Sequence, residues 1–181
     1  MLRTPGRCRG ALVPHPLKPC EAIEQINVSA DRFGDHLRMT FCLLGDLSQI
    51  AFPRHFGGKR RHFLWRNTCL EAFLRAPRSQ AYLELNASSS RDWAAYAFGG
   101  YRKHRRDAAI LQPEIRVQRT HRLMSMTVTI NLPQSLRSAK QIEIGASAVI
   151  ESVDGRKSYW AVRHPRPTPD FHHPASFALA L

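Results

Sequence analysis

From Met124 to Leu132 the chain alternates without a lapse. Met124, Met126, Val128, Ile130 and Leu132 fall on one side, with Ser125, Thr127, Thr129 and Asn131 on the other. Successive side chains of an extended strand point to opposite faces, whereas a helix would scatter these five apolar residues round its circumference. The same rhythm sets Leu37, Met39, Phe41 and Leu43 against Arg38, Thr40 and Cys42, and it recurs through Ile142, Ile144, Ala146, Ala148 and Ile150. Register is then fixed, because a slip of one residue would turn Arg38 toward the core. Strands that are apolar on one face only must bury those faces against each other, and two packed antiparallel layers do so.

The rest of the chain fits that frame. Ile26 and Val28 alternate with Gln25, Asn27 and Ser29, ahead of a turn at Gly34. Ile50 to Phe52 reads as a short strand before a long basic loop from Pro53 to Phe63, and Ile115 and Val117 begin another strand. Pro133 opens the one helical turn, since proline suits the first helical position. Asp154-Gly155 between two strand patterns predicts a hairpin. Residues 1–20 are rich in Pro, Arg and Gly without periodicity and predict an irregular lead-in; residues 21–181 make one domain. The tail from His164 to Pro174 is Pro-rich and extended, with Phe171 and Phe177 able to pin it to the body. About eight to ten strands result, with turn signals spaced as in a β-sandwich.

Residues 64–102 are the most informative stretch, three apolar runs divided by two polar turns, which predicts a meander. In the middle run Leu83 and Leu85 face the core while Tyr82, Glu84 and Asn86 share the other side. The first run, taken from Leu64, puts Glu71 among apolar neighbours with Trp65, Cys69 and Phe73, and a buried carboxylate needs a partner. Arg102, Arg66 and Arg119 are the candidates. Residues 90–98 also allow a helical reading capped by Ser90, but the run is short and aromatic.

These residues resemble the bacterial DOMON-like domain proteins, which are related to family 9 carbohydrate-binding modules. The likeness is carried by L-W-x-x-T-C-L-E-A-F-L from Leu64, Y-L-E-x-N from Tyr82, and S-x-x-W-A-A-Y-x-F-x-x-Y-R, which begins at Ser90 and ends at Arg102. It extends to W-A-V-x-H-P from Trp160, P-D-F-H-H-P-x-S-F ending at Phe177, and His15-Pro16. It departs at one turn, where Ala87 and Ser89 replace the usual aromatic and proline. The resemblance implies a strand at residues 90–98, an immunoglobulin-like or jelly-roll sandwich, and a non-catalytic ligand-binding role. Relatives are sometimes fused to cell-wall precursor enzymes, which makes amino sugars the first ligands to test; some DOMON relatives bind haem, which here would need an axial His or Met.

Composition bears on partners. The 181 residues carry 27 Lys and Arg against 14 Asp and Glu, a formal charge of +13, and such a field attracts phosphates. Nucleic acid is therefore the alternative partner, through the basic surface. The densest runs, Lys59-Arg60-Arg61-His62 and residues 102–106, both fall in expected loops, without aromatic interleaving or a recognition-helix pattern. A protein-docking scaffold working through a sheet edge is a third reading. Cys8, Cys20, Cys42 and Cys69 form neither a C-x-x-C motif nor a disulfide framework. The N-terminus has no apolar signal core, and no run is long enough to span a bilayer, which favours a cytoplasmic location away from membranes.

Candidate chemistry narrows to binding. No nucleophile elbow, phosphate loop, dinucleotide fingerprint or zinc helix is present. Glu71 and Glu84 on neighbouring strands have the makings of a glycosidase-type pair, but arginine partners for each are the simpler expectation. Asp170, His172 and His173 are metal-ligating types, yet adjacent histidines on an extended chain point apart, so neither metal nor cofactor is assigned. Carbohydrate is held by aromatic rings on the sugar's apolar face and by polar groups on its hydroxyls. The expected ligand site is Trp65, Glu84, Asn86, Trp93 and Arg102, with Trp160 in the core.

Overall fold

The computed structural model describes residues 6–181. It is almost entirely β, with one four-residue helix, α1 (Gln134–Arg137), following Pro133 as the sequence predicts. Twelve strands are formed among the described residues. β1 (Gly6–Pro14), β2 (Ile23–Phe33), β3 (His36–Gly45), β9 (Leu123–Asn131) and β8 (Glu114–Arg119) lie side by side in one layer. The other layer runs β7 (Arg106–Asp107), β6 (Trp93–Phe98), β5 (Tyr82–Ala87), β4 (Cys69–Arg75), β10 (Glu143–Glu151) and β11 (Lys157–Ala161), with β12 (Leu179–Ala180) paired to β10. Every strand pairing is antiparallel.

The expected apolar faces meet between the layers. Met124, Met126, Val128, Ile130 and Leu132 are at most 3% exposed, and they share one cluster with Leu37, Met39, Phe41, Leu43, Ile142, Ile144 and Ile150. Each such side chain contributes roughly 1.5–3 kcal/mol on burial, offset in part by the entropy of ordering it. Outward positions on β3 and β9 pair polar groups across the strands, as in the 3.0 Å contact between the Thr40 and Thr127 hydroxyls. Asp154 and Gly155 turn the hairpin between β10 and β11, with Gly155 at φ 83°.

Two expectations are corrected. Residues 6–14, read as part of an irregular lead-in, form β1; residues 1–5 of that lead-in lie outside the described residues. β1 pairs with β2 from Gly6 to Leu12, and then passes Val13 and Pro14 to β11, so it belongs to both layers. Only Leu12 of this strand is buried, so its support is backbone pairing rather than an apolar face, and no periodicity announced it. The first run of the meander starts as a strand at Cys69 and not at Leu64. Residues Leu64–Arg66 make a 3-10 turn, entered through Phe63 in a left-handed conformation at φ 65°.

The second layer is buried on both sides. Every residue of β5 is buried and all but the last of β4, because residues 164–177 fold back over the outer face with the turn at Leu64–Arg66.

Candidate functional site

The outer face of the second layer is built by alternation. Glu71 and Phe73 of β4 stand beside Asn86 and Glu84 of β5, which in turn stand beside Ala94 and Tyr96 of β6. Ser147 and Val149 of β10 continue the surface to Tyr159 of β11. Tyr82 and Phe98 stack across β5 and β6 with ring centroids 4.7 Å apart. Over this floor comes the tail. Its His172 ring meets Phe73 at 5.0 Å and Phe98 at 5.1 Å, while Phe177 packs edge-on to Phe73 and Tyr82. Trp65 leans on Tyr96 from the far side at 5.9 Å.

Between tail and turn lies a cavity of about 470 Å³, whose walls include Trp65, Glu71, Glu84, Arg102, Phe171 and His172. Hydrogen bonds hold its mouth in shape. Asp170 accepts from the Tyr101 hydroxyl at 2.5 Å and from the Arg102 guanidinium at 3.1 Å, which ties the tail to the β6–β7 hairpin. Burial alone would raise the Asp170 pKa, but Tyr101 and Arg102 outweigh it and hold the carboxylate ionised. The Tyr82 hydroxyl accepts from the Arg102 backbone N–H at 3.2 Å and shares a hydrogen bond of 2.8 Å with His172 Nδ1. The other ring nitrogen of His172, Nε2, lies 3.7 Å from Glu84 Oε2. Burial and then the charge of Arg102 lower the His172 pKa to about 4, so the contact with Glu84 is not an ion pair at neutral pH.

The floor is rich in acceptors. Glu71 is 3% exposed and its one hydrogen bond among the described residues comes from Ser147 Oγ at a long 3.5 Å. Glu84 accepts from Asn86 Nδ2 at 2.7 Å, while Asn86 Oδ1, fully buried, has no partner. No arginine makes an ion pair with either glutamate among the described residues, so the expected arginine partners are corrected: the two carboxylates face each other's field instead. Burial, and then the proximity of Glu84, push the Glu71 pKa well above the usual carboxylate range; burial raises Glu84 as well, against the Asn86 hydrogen bond. With carboxyls on its floor and the Arg102 and Arg105 guanidiniums on its wall, the pocket suits a ligand whose groups both donate and accept.

Of the five expected site residues, Trp65, Glu84 and Arg102 line this cavity, and Asn86 is buried beside Glu84. Trp93 is a correction. It pairs with Ala87, shares the face of Leu83 and Leu85, and lies 5% exposed between the two layers with Arg60 over its ring at 4.4 Å. Trp160 lies in the same core and donates to Ser158 Oγ at 3.0 Å. Phe171 and His172 are among the lining residues that the sequence reading left out of the site, having taken them for a pin and a turn, as is Arg105, taken for part of a solvated loop. Glu71 had a legible signal, because it shares a strand face with Phe73 in register with Asn86 and Glu84. Asp170 and His172 spend their polar atoms on Arg102, Tyr101 and Tyr82, and the described residues contain no group of three or more His, Cys, Asp and Glu placed to hold a metal ion.

No family model matches the sequence, and no curated protein matches it. Solved structures do. A Bacteroides uniformis protein proposed to bind carbohydrate superposes with a TM-score of 0.65 at 12% identity, over 94% of this chain and 83% of that one. A family 9 carbohydrate-binding module from Caldicellulosiruptor kristjanssonii, solved with glucose, superposes with a TM-score of 0.57 at 8% identity, over 93% and 82%. At these identities the likeness is one of fold, and the fold is the β-sandwich of those two proteins.

Proposed function

We propose that the chain is a non-catalytic binding module of the DOMON-like kind, and that its cavity on the outer face of the second layer takes a carbohydrate. The observation that carries this is the pairing of two buried carboxyls, Glu71 and Glu84, with aromatic walls at Trp65 and Phe171 and guanidiniums at Arg102 and Arg105 in one cavity. Sugar hydroxyls donate to the carboxyls and accept from the guanidiniums, and a pyranose offers the flat C–H face that an indole or phenyl ring covers. The glucose held by the Caldicellulosiruptor module fits the same class of ligand. An amino sugar suits the floor better than a neutral one, because an ammonium beside Glu71 and Glu84 favours their ionised forms against the burial that raises both pKa values, and pairs with them.

Isothermal titration with glucose and with glucosamine tests the reading. Both bind, glucosamine more tightly; Trp65→Ala removes stacking and weakens both by about tenfold or more. Glu84→Gln reduces the preference for the amine. The sugar is recovered unchanged after long incubation. Absence of any heat with either sugar, or a Trp65→Ala variant that binds like the parent, refutes the assignment.

A further inference from the structure

The two densest basic stretches are remote in sequence, yet both end on β6. Lys59 and Arg61 bracket Trp93 with backbone hydrogen bonds of 3.0 and 2.8 Å, and Arg60 reaches past its ring to the Ala108 carbonyl at 2.8 Å. Further along the same edge β7 pairs with Tyr96 and Ala97, and the Arg105 guanidinium lies 5.1 Å from the centre of the Tyr96 ring. The nearby acids are already engaged. Asp92 takes His55 at 2.9 Å and Arg61 at 3.0 Å, while Asp107 faces Arg60 and His62 at 3.8 Å. Lys59, Arg66, Arg91, Lys103, Arg105 and Arg106 are exposed and make no ion pair among the described residues.

Aromatic rings stand among these charges, against the sequence expectation that the basic runs lacked them. Phe56 is 86% exposed with Arg91 beside its ring, and Phe63 is 46% exposed with Arg66 4.6 Å from its centre. The loop that carries them is built rather than loose. Buried Asp92 accepts the Lys59 backbone N–H at 3.0 Å, and Gly57 N–H donates to the Ser90 carbonyl at 3.0 Å. Gly57 passes so close that a Cβ there would sit 1.9 Å from Asp92 Oδ1.

We propose that this surface binds single-stranded nucleic acid, with phosphates on the free cations and bases stacked on Phe56 and Phe63. Exposed rings and unneutralised like charges are both unfavourable in water, and a strand with a negative backbone and flat apolar bases relieves both at once. A duplex hides its base faces, and the only α-helix among the described residues, of four residues, is too short to read a groove. An acidic peptide would satisfy the charges and leave the rings bare. The inference stands on different residues from the carbohydrate reading, apart from Arg105, which also lines that cavity.

The test is fluorescence anisotropy of the full chain with labelled mixed-sequence 12-nucleotide DNA and RNA at 50 and 200 mM salt. Each neutralised phosphate contributes about 0.7 to the logarithmic salt slope, so four contacts weaken binding about 50-fold between the two salts. Phe56→Ala, at a ring 86% exposed, weakens binding about tenfold at an unchanged slope. The double variant Lys103→Gln/Arg106→Gln lowers the slope by about 1.4. Equal binding of both oligonucleotides places recognition on phosphates and base faces; tighter RNA binding adds the 2′-hydroxyl, and either supports the proposal. No binding at 50 mM salt overturns it. So does full competition by polyglutamate or anionic phosphatidylglycerol vesicles, or a Phe56→Ala variant indistinguishable from the parent.

Discussion

Glu71 shows how much one residue can be asked to hold. Its neighbours give it a single weak donor and a second carboxylate, so the folded protein favours its protonated form. A carboxyl whose folded pKa lies above its unfolded one binds protons more tightly when native. Its full stabilising contribution is present below the ordinary Glu value near 4.5 and is lost as pH climbs toward the raised folded pKa. His172 works in the opposite sense. Its folded pKa of about 4 lies below the ordinary histidine value of 6.5, so its contribution is complete above 6.5 and fades as pH falls toward 4. Glu71→Gln mimics the protonated acid at every pH and leaves His172 in place. The melting temperatures of parent and variant are expected to coincide near pH 4 and to diverge by several degrees in favour of the variant at pH 8, of the order expected when a buried charge is removed. Thermal denaturation across that range checks this, and a gap independent of pH would show that the Glu71 charge costs nothing.

At the scale of the element, the basic loop from residue 53 to 63 depends on one buried carboxylate. Burial by itself would raise the Asp92 pKa, but the Lys59 amide, His55, Ser90 and Arg61 together bring it below the ordinary value. Gly57→Ala drives a methyl into that carboxylate, so either the loop lifts or Asp92 leaves its partners. The expected cost is about 1–3 kcal/mol, that of a strained contact and a broken buried polar network. Limited trypsin digestion reads it directly, because Arg54, Lys59, Arg60 and Arg61 all lie in the loop. Cleavage there should accelerate several-fold in the variant, and an unchanged rate would mean that Asp92 does not order the loop. None of this was readable in the sequence, where the loop was a basic spacer between strands. The strands themselves were readable, because each of β3, β9 and β10 states its buried face in its own two-residue rhythm. β1 states nothing of the kind. The site was half legible for the same reason: alternation put Glu84 and Asn86 on one face, but which face was the pocket depended on the tail arriving over it. Trp93 was misplaced because a strand pattern fixes only relative sides. Trp93 and Tyr96 point opposite ways from β6, and nothing local says which of them meets the core.

Across the whole molecule the two layers are joined twice, by a shared core and by β1. Ile26, Leu43 and Met126 of one layer lie in the same buried cluster as Leu74, Leu83, Ile144 and Ile150 of the other. β1 adds a covalent seam, hydrogen-bonded to β2 along seven residues and then to β11 at Val13 and Pro14. Neither layer keeps an apolar face covered without the other, so opening one exposes both. Native-state hydrogen exchange should therefore show the central amides of β3 and β9 exchanging with the same opening free energy as those of β4 and β10, equal to that of global unfolding. The tail over the cavity differs. It is tied by Asp170 to Arg102 and Tyr101 and by His172 to Tyr82, contacts that can break while the sandwich stays closed, so amides of residues 164–177 should exchange through a lower-energy opening. Saturating sugar should slow that local exchange and, by stabilising the folded state, slow β3 and β9 as well, because a ligand between tail and floor must be released before either opening. Equal protection of tail and core in the free protein would mean that the cavity's cover is part of the core unit, and that ligand must enter past a fixed rim.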